Sequence, residues 1–230
     1  MKRLLFILLL IIPFIGFGQL NLLDKKNGFK NIKLGTNVLK YGFIKKISPH
    51  IEFSFGQGTI SHPFIGEGSS FDLTEGLIFH EGVKECNLWI VDTENRELHT
   101  FPRNTKIKKI LIETYNNLIL SITLYIDDDI TRTIPLKLVE VFGSPTKNRC
   151  RDIDSFEVDK KEICSLTWTT NKVNLSVISC HNFTERWRTS YDQERDGWVI
   201  QYEDIKLNSI VDNIKLKIKE RYKQKLKDQF

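Results

Sequence analysis

The sequence predicts an α+β fold: an antiparallel sheet of several β-hairpins with short helices and a longer C-terminal helix. Three observations carry this. Residues 106–115 and 118–126 are β-rich runs joined by Asn116-Asn117, a pair that tolerates the positive φ of a two-residue turn. Residues 133–145 hold a helix start and stop in close succession. The tail from Ile205 repeats apolar residues at near-helical intervals. With 40% hydrophobic, 11% aromatic and 27% charged residues, the chain has material for a sizeable core, which excludes wholesale disorder.

The elements follow in order. Lys2 and Arg3 lead an apolar run from Leu4 to Ile15, which exits through Gly16-Phe17-Gly18-Gln19. This is the layout of a secretory signal peptide over 1–18, shorter than the roughly 20 apolar residues of a membrane span. The remaining 19–230 are expected to form one α+β domain, periplasmic or extracellular. The first cysteine is Cys86, so the cleavage point lacks the lipid-bearing Cys of a lipoprotein, and a released protein is expected. The formal charge of +5 falls to +3 without Lys2 and Arg3. Between Lys206 and Asp228, eight basic residues face three acidic ones, so the positive balance belongs to the tail.

Further along, Thr36 is expected to cap a short helix that faces the core through Val38, Leu39 and Phe43, with Pro49 barring its extension. The glycine-studded stretch 51–85 suggests short strands at 51–55 and 76–80. Residues 86–101 read as a hairpin around Asp92-Thr93-Glu94-Asn95, which with the 106–126 hairpin makes a four-stranded meander. Leu118, Leu120, Ile122, Leu124 and Ile126 alternate strictly, so one face of that strand is expected to be buried. Over 133–145, Thr133 can cap, Pro135 suits the first turn and Gly143 suits a left-handed exit, while Pro145 forbids continuation. Leu138, Val139 and Phe142 should face inward. A second hairpin joins 165–170 to 173–179 around Asn171-Lys172, and 198–202 is a further strand. In the tail, Leu207, Ile210, Val211, Ile214, Ile218, Tyr222 and Leu226 approximate a helical stripe. Length and good helix formers over 220–227 decide for helix over strand.

Two fragments carry a family resemblance. Phe29-Lys30-Asn31-Ile32-Lys33-Leu34-Gly35-Thr36 resembles the entry to the first helix of small bacterial envelope α/β modules. Val139-Glu140-Val141-Phe142-Gly143-Ser144-Pro145-Thr146, with Ser165-Leu166-Thr167-Trp168 and Val173-Asn174-Leu175-Ser176-Val177, resembles their second half. These modules include the β-lactamase-inhibitor-protein type and the small lipoproteins of outer-membrane assembly. The resemblance implies two helices on an antiparallel sheet, and protein binding or envelope scaffolding with no catalytic residues to carry over. About 90 residues separate halves that adjoin in the family.

Export makes Cys86, Cys150, Cys164 and Cys180 disulfide candidates with three possible pairings. Cys150–Cys164 is the first expectation, since a loop near 15 residues gains about 3 kcal/mol from closure. Their spacings of 64, 14 and 16 do not form the paired knuckles of zinc sites. Asp127-Asp128-Asp129 lacks the glycine and closing glutamate of a calcium loop, and His80-Glu81 lacks the second histidine of a zinc-protease helix. Gly66-Glu67-Gly68-Ser69-Ser70 fails the nucleophile-elbow pattern. Cys180-His181 are sequence neighbours, whereas a catalytic pair meets in space. Glu185 and Asp192 have the residue types of a sugar-cleaving pair but no spacing that defines one. No catalytic, metal or cofactor residue is therefore assigned. Residues 187–198 concentrate the residue types of binding hot spots, so Trp187, Arg188, Tyr191, Arg195 and Trp198 are binding-surface candidates. Lys215, Lys217, Lys219, Lys223, Lys225 and Lys227 are candidates for attachment to an anionic surface. The leading expectation is a non-enzymatic envelope module whose partner is another envelope protein. No nucleic acid partner is expected, and membrane contact is at most peripheral. The alternatives are an envelope-polymer hydrolase and attachment through the basic helix.

Overall fold

In chain order, a computed structural model shows helix α1 (20–26), β1 (Gly28–Phe29), β2 (Ile32–Lys33), a 3-10 turn (Val38–Lys40), β3 (Ile44–Ile47), β4 (Ser54–Phe55), β5 (Gly58–Thr59), β6 (Cys86–Val91), β7 (Thr100–Phe101), β8 (Thr105–Tyr115), β9 (Leu118–Asp127), α2 (Thr133–Phe142), β10 (Lys147–Asn148), β11 (Ser165–Thr169), β12 (Val173–Phe183), β13 (Arg195–Asp204) and α3 (Ile205–Lys227). The structure describes residues 20–47, 54–55, 58–59, 80, 83–101, 105–127, 133–149, 165–183 and 195–227. The proposed signal segment 1–18 lies outside them, as does the strand expected at 76–80 except for His80.

The main sheet is antiparallel in the order β10-β11-β12-β13-β9-β8-β6-β3, with β7 beside β8, and the fold class is α+β as expected. Two hairpins form its halves. In the first, Asn116 and Asn117 take φ of 50° and 64° between β8 and β9, the left-handed pair that a tight turn requires. The second pairs β11 with β12. Strand β13 joins the halves by pairing with both β12 and β9.

The sheet's two faces differ in chemistry. On one face Trp89, Ile112, Ile122, Tyr202, Leu175 and Trp168 stand in register across six strands, all buried. Leu23 of α1 and Ile134, Leu138 and Phe142 of α2 cover this face, with Val139 partly buried beside them. The Lys26 ammonium sits 5.6 Å from the Phe142 ring centre, linking α1 to α2. Gly143 leaves α2 at φ 77°.

Four local expectations are corrected. Thr36 caps no helix: its hydroxyl donates to the Lys33 carbonyl at 2.6 Å. The Asn37 side chain instead accepts from the Leu39 amide at 2.9 Å, capping only the 3-10 turn. Val38 is buried there, but Leu39 is 65% exposed. Residues 86–101 do not form a hairpin either. Turns closed by Asn95 N–H to the Asp92 carbonyl and Leu98 N–H to the Asn95 carbonyl carry the chain aside. As a result β6 and β7 each pair with β8, and the meander loses a strand. The alternation in β9 breaks at a bulge, where Glu113 faces Ser121 but Thr114 faces Ile119. The extra residue, Leu120, turns to the opposite face with Val83 and Val211 while Ile119 joins the main core. Finally, of the tail's apolar stripe Leu207, Val211 and Ile214 pack, as described below, while Ile210, Ile218 and Tyr222 are exposed.

Gly28 begins the β1–β2 hairpin at φ 137°, opposite Lys33, and a Cβ there would lie 2.3 Å from the Ile32 carbonyl oxygen. Only glycine fits such a backbone and such an approach. Gly28→Ala is expected to lower stability by about 1–3 kcal/mol, read as a drop in urea midpoint.

Candidate functional site

The second sheet face carries a row of polar side chains. Glu113 on β8 faces Ser121 on β9, Ser121 faces Glu203 on β13, and Glu203 faces Asn174 on β12. Period-2 alternation puts all four on one side, opposite the apolar row. Asp204 ends β13, and its carboxylate accepts from the Leu207 amide at 2.9 Å, capping α3 as the chain leaves the sheet. The first half of α3 then lies over the row. Val211 is buried, and Leu207 and Ile214 pack with it against Val83, Leu120, Cys86 and Tyr115.

The row is bonded along its length and upward to the helix. Ser121 Oγ donates to Glu113 Oε2 at 2.5 Å, and Asn174 Nδ2 donates to Glu203 Oε2 at 2.9 Å. Asn208 of α3 hydrogen-bonds Glu203 and lies 2.9 Å from His80 Nε2 through its Oδ1. The His80 backbone N–H donates to Glu113. His80 Nδ1 is 3.9 Å from Asp212 Oδ1. Glu113 Oε1, His80 Nδ1 and Gln201 Nε2 are buried without a hydrogen-bond partner among the described residues.

Burial sets the charge states. It pushes the Glu113 carboxyl up to about 8, helped by the Glu203 charge and opposed by the Ser121 bond and Lys215. Burial also raises Glu203. His80 is lowered, by burial first and then by the positive Lys215. Cys86 is pushed up to about 11 by burial and then by the Glu113 charge. At neutral pH the cluster therefore favours a neutral Glu113 and a neutral imidazole. Lys109, on the same face and 5.9 Å from the Tyr125 ring centre, is lowered to about 8 by burial.

This arrangement can hold α3 on the sheet and respond to pH. Among the described residues it offers no open cleft, since Glu113, Glu203 and His80 are only 6%, 7% and 2% exposed. Among the described residues no three His, Cys, Asp or Glu side chains gather as metal ligands. None of the described helices is long and apolar enough to cross a membrane.

The residues singled out from sequence are distributed differently. Trp198 is fully buried in the main core, so it anchors β13 and presents nothing to a partner. Arg195 starts β13, while Trp187, Arg188 and Tyr191 lie outside the described residues. Cys86 carries a free, half-buried thiol. Cys150 and Cys164 lie outside the described residues, and Cys180 is placed by its backbone in β12. Lys217, Lys219, Lys223, Lys225 and Lys227 are exposed on α3. Lys215 is half-buried and belongs electrostatically to the cluster. Asp127 ends β9; Asp128, Asp129, Glu185 and Asp192 lie outside.

Sequence reasoning missed Glu113, Glu203 and Asn208, and dismissed His80 for want of a nearby ligand. One signal was available: Ile110-Leu111-Ile112-Glu113 sets a carboxylate inside an apolar strand run, where an unpaired charge is costly.

At pH 8 the Cys86 thiol is expected to react with a disulfide reagent about a hundredfold more slowly in the folded than in the unfolded protein. Mass-mapped labelling checks this, and equal rates would contradict the burial described. No family model, curated protein or solved structure matches this chain.

Proposed function

We propose that the protein is a non-enzymatic, exported binding module of the bacterial cell envelope, which acts through the outer half of α3. The observation that carries this reading is the exposure of that half. Ile218 and Tyr222, one turn apart on one side of the helix, are 43% and 65% exposed among exposed lysines. A helix that only closes the fold needs no such extension, and large apolar side chains grouped on a surface mark interaction sites. The resemblance of 139–146, 165–168 and 173–177 to envelope binding modules supports the same direction. The full chain is expected to co-sediment with washed envelope fragments, and a chain lacking 216–230 to do so at least about tenfold less. Equal co-sedimentation of two folded proteins would reject the reading.

The hydrolase alternative has one specific observation in its favour. Two carboxylates share a sheet face, and one is held protonated near neutral pH, as a sugar-cleaving acid must be. Their burial beneath α3 weighs against it, since a polymer cannot reach them in this conformation. Clearing of purified envelope polymer by the protein, abolished in Glu113→Gln, would establish the hydrolase and overturn the non-enzymatic reading.

A further inference from the structure

We propose that the outer half of α3 docks into a groove of a partner protein with an apolar floor and acidic walls. This rests on the binding-module reading above and names the chemistry of the partner.

The stripe supplies the floor contact. Leu207, Val211 and Ile214 recur at three- and four-residue steps and pack on the sheet. Ile218 and Tyr222 continue the same stripe at steps of four, yet they are exposed. At 1.5 Å per residue, the stripe runs on for about 12 Å beyond Ile214. The apolar face thus outlasts the surface that the described residues provide for it.

Charge selects the walls. From 216 to 227 the chain has Lys217, Lys219, Arg221, Lys223, Lys225 and Lys227 against Glu220, a net of +5. At about 100° per residue, Lys219 and Arg221 stand about 80° to either side of the Ile218–Tyr222 stripe. An occupant of the stripe meets positive charge along both borders. A second copy of the same helix would set like charge against like, which is costly at an interface. Carboxylates on both walls complement it.

Geometry favours a protein over a bilayer. Ile218 and Tyr222 lie on the side of α3 that packs, one and two turns earlier, against the sheet. The domain therefore occupies that side of the helix axis, and a plane touching the outer stripe meets the domain as well. A groove about one helix wide fits beside it. Leu216 is 57% exposed but stands about 140° from the stripe, outside such a groove, and so serves as an internal control.

The test uses the full chain and three probes: a designed helical hairpin with a leucine-floored, glutamate-walled groove, the same hairpin with lysine walls, and phosphatidylglycerol-containing vesicles. The glutamate-walled hairpin should bind and the lysine-walled one should not. Ile218→Ser with Tyr222→Ser should weaken binding about tenfold or more, and Leu216→Ser should leave it unchanged. Failure to bind the glutamate-walled hairpin, tighter binding to vesicles, or equal effects of Leu216→Ser and the stripe variants would each overturn the proposal. Unchanged helicity by circular dichroism shows that the variants fold. If the stripe variants retain the envelope co-sedimentation that the 216–230 deletion loses, the groove proposal falls and the binding reading stands. If the deletion also retains it, both fall.

Discussion

Raising the pH from about 6.5 to about 8 is expected to destabilise the protein by about 2 kcal/mol through Glu113 alone. The carboxyl ionises near 4.5 in the unfolded chain and about 8 in the fold. Between those values the folded state holds a proton that the unfolded state has released, so stability falls as pH rises. The contribution is whole below about 4.5 and lost above about 8, amounting to roughly 5 kcal/mol over the full range. Glu203 is shifted in the same direction and steepens the loss. His80 acts with the opposite sign. Its depressed value contributes stability above 6.5 that is lost as pH falls, so the gain from Glu113 on acidification should flatten below about pH 6.5. The groups facing Glu113 are Ser121, Glu203, the His80 backbone, Lys215 and Cys86. Lys215 alone favours the ionised form by its charge. Glu113→Gln keeps the shape and removes the titration. Its urea midpoint should vary less with pH, and it should exceed the wild type at pH 8 by about 2 kcal/mol or more. Parallel curves for the two proteins would contradict the assignment.

The parts legible from sequence were those that local chemistry decides. Asn116-Asn117 admits left-handed backbone, and Pro135 with Gly143 brackets α2, so that hairpin and that helix were found with nearly correct ends. The long α3 followed from its length and composition. What escaped was decided across the sheet. Whether Cys86–Val91 pairs with Thr100–Phe101 or with β8 depends on distant partners, and nothing in residues 86–101 announces it. The bulge at Leu120 is hidden in the Leu118-Ile119-Leu120 run because Ile119 and Leu120 are both apolar and both faces of β9 are buried. The candidate site was hidden for the same reason. Glu113, Ser121, Glu203 and Asn174 come from four strands spread over some ninety residues, and only register makes them neighbours. Trp198 misled because Trp, Tyr and Arg mark both hot spots and core anchors, and burial alone separates them.

Trp168→Ala is expected to destabilise the fold by about 3–5 kcal/mol, the range for emptying a fully buried Trp site. The residue is 0% exposed on β11, in the main core beside α2. Its Nε1 donates to the Gly143 carbonyl at 2.8 Å, where α2 ends and its last carbonyls need donors. The substitution therefore opens a cavity and also strands an acceptor. Trp168→Phe separates the two effects. It refills most of the volume but leaves the Gly143 carbonyl without its donor, for about 1–3 kcal/mol. Trp198 is the matched comparison, equally buried but with an Nε1 that finds no partner among the described residues. Trp198→Phe loses no hydrogen bond and relieves a buried donor, so it should cost less than Trp168→Phe, although the alanine variants should be similarly damaging. Urea titrations of the four variants test this ordering. Equal losses in the two phenylalanine variants would mean that packing alone holds α2's exit on the sheet.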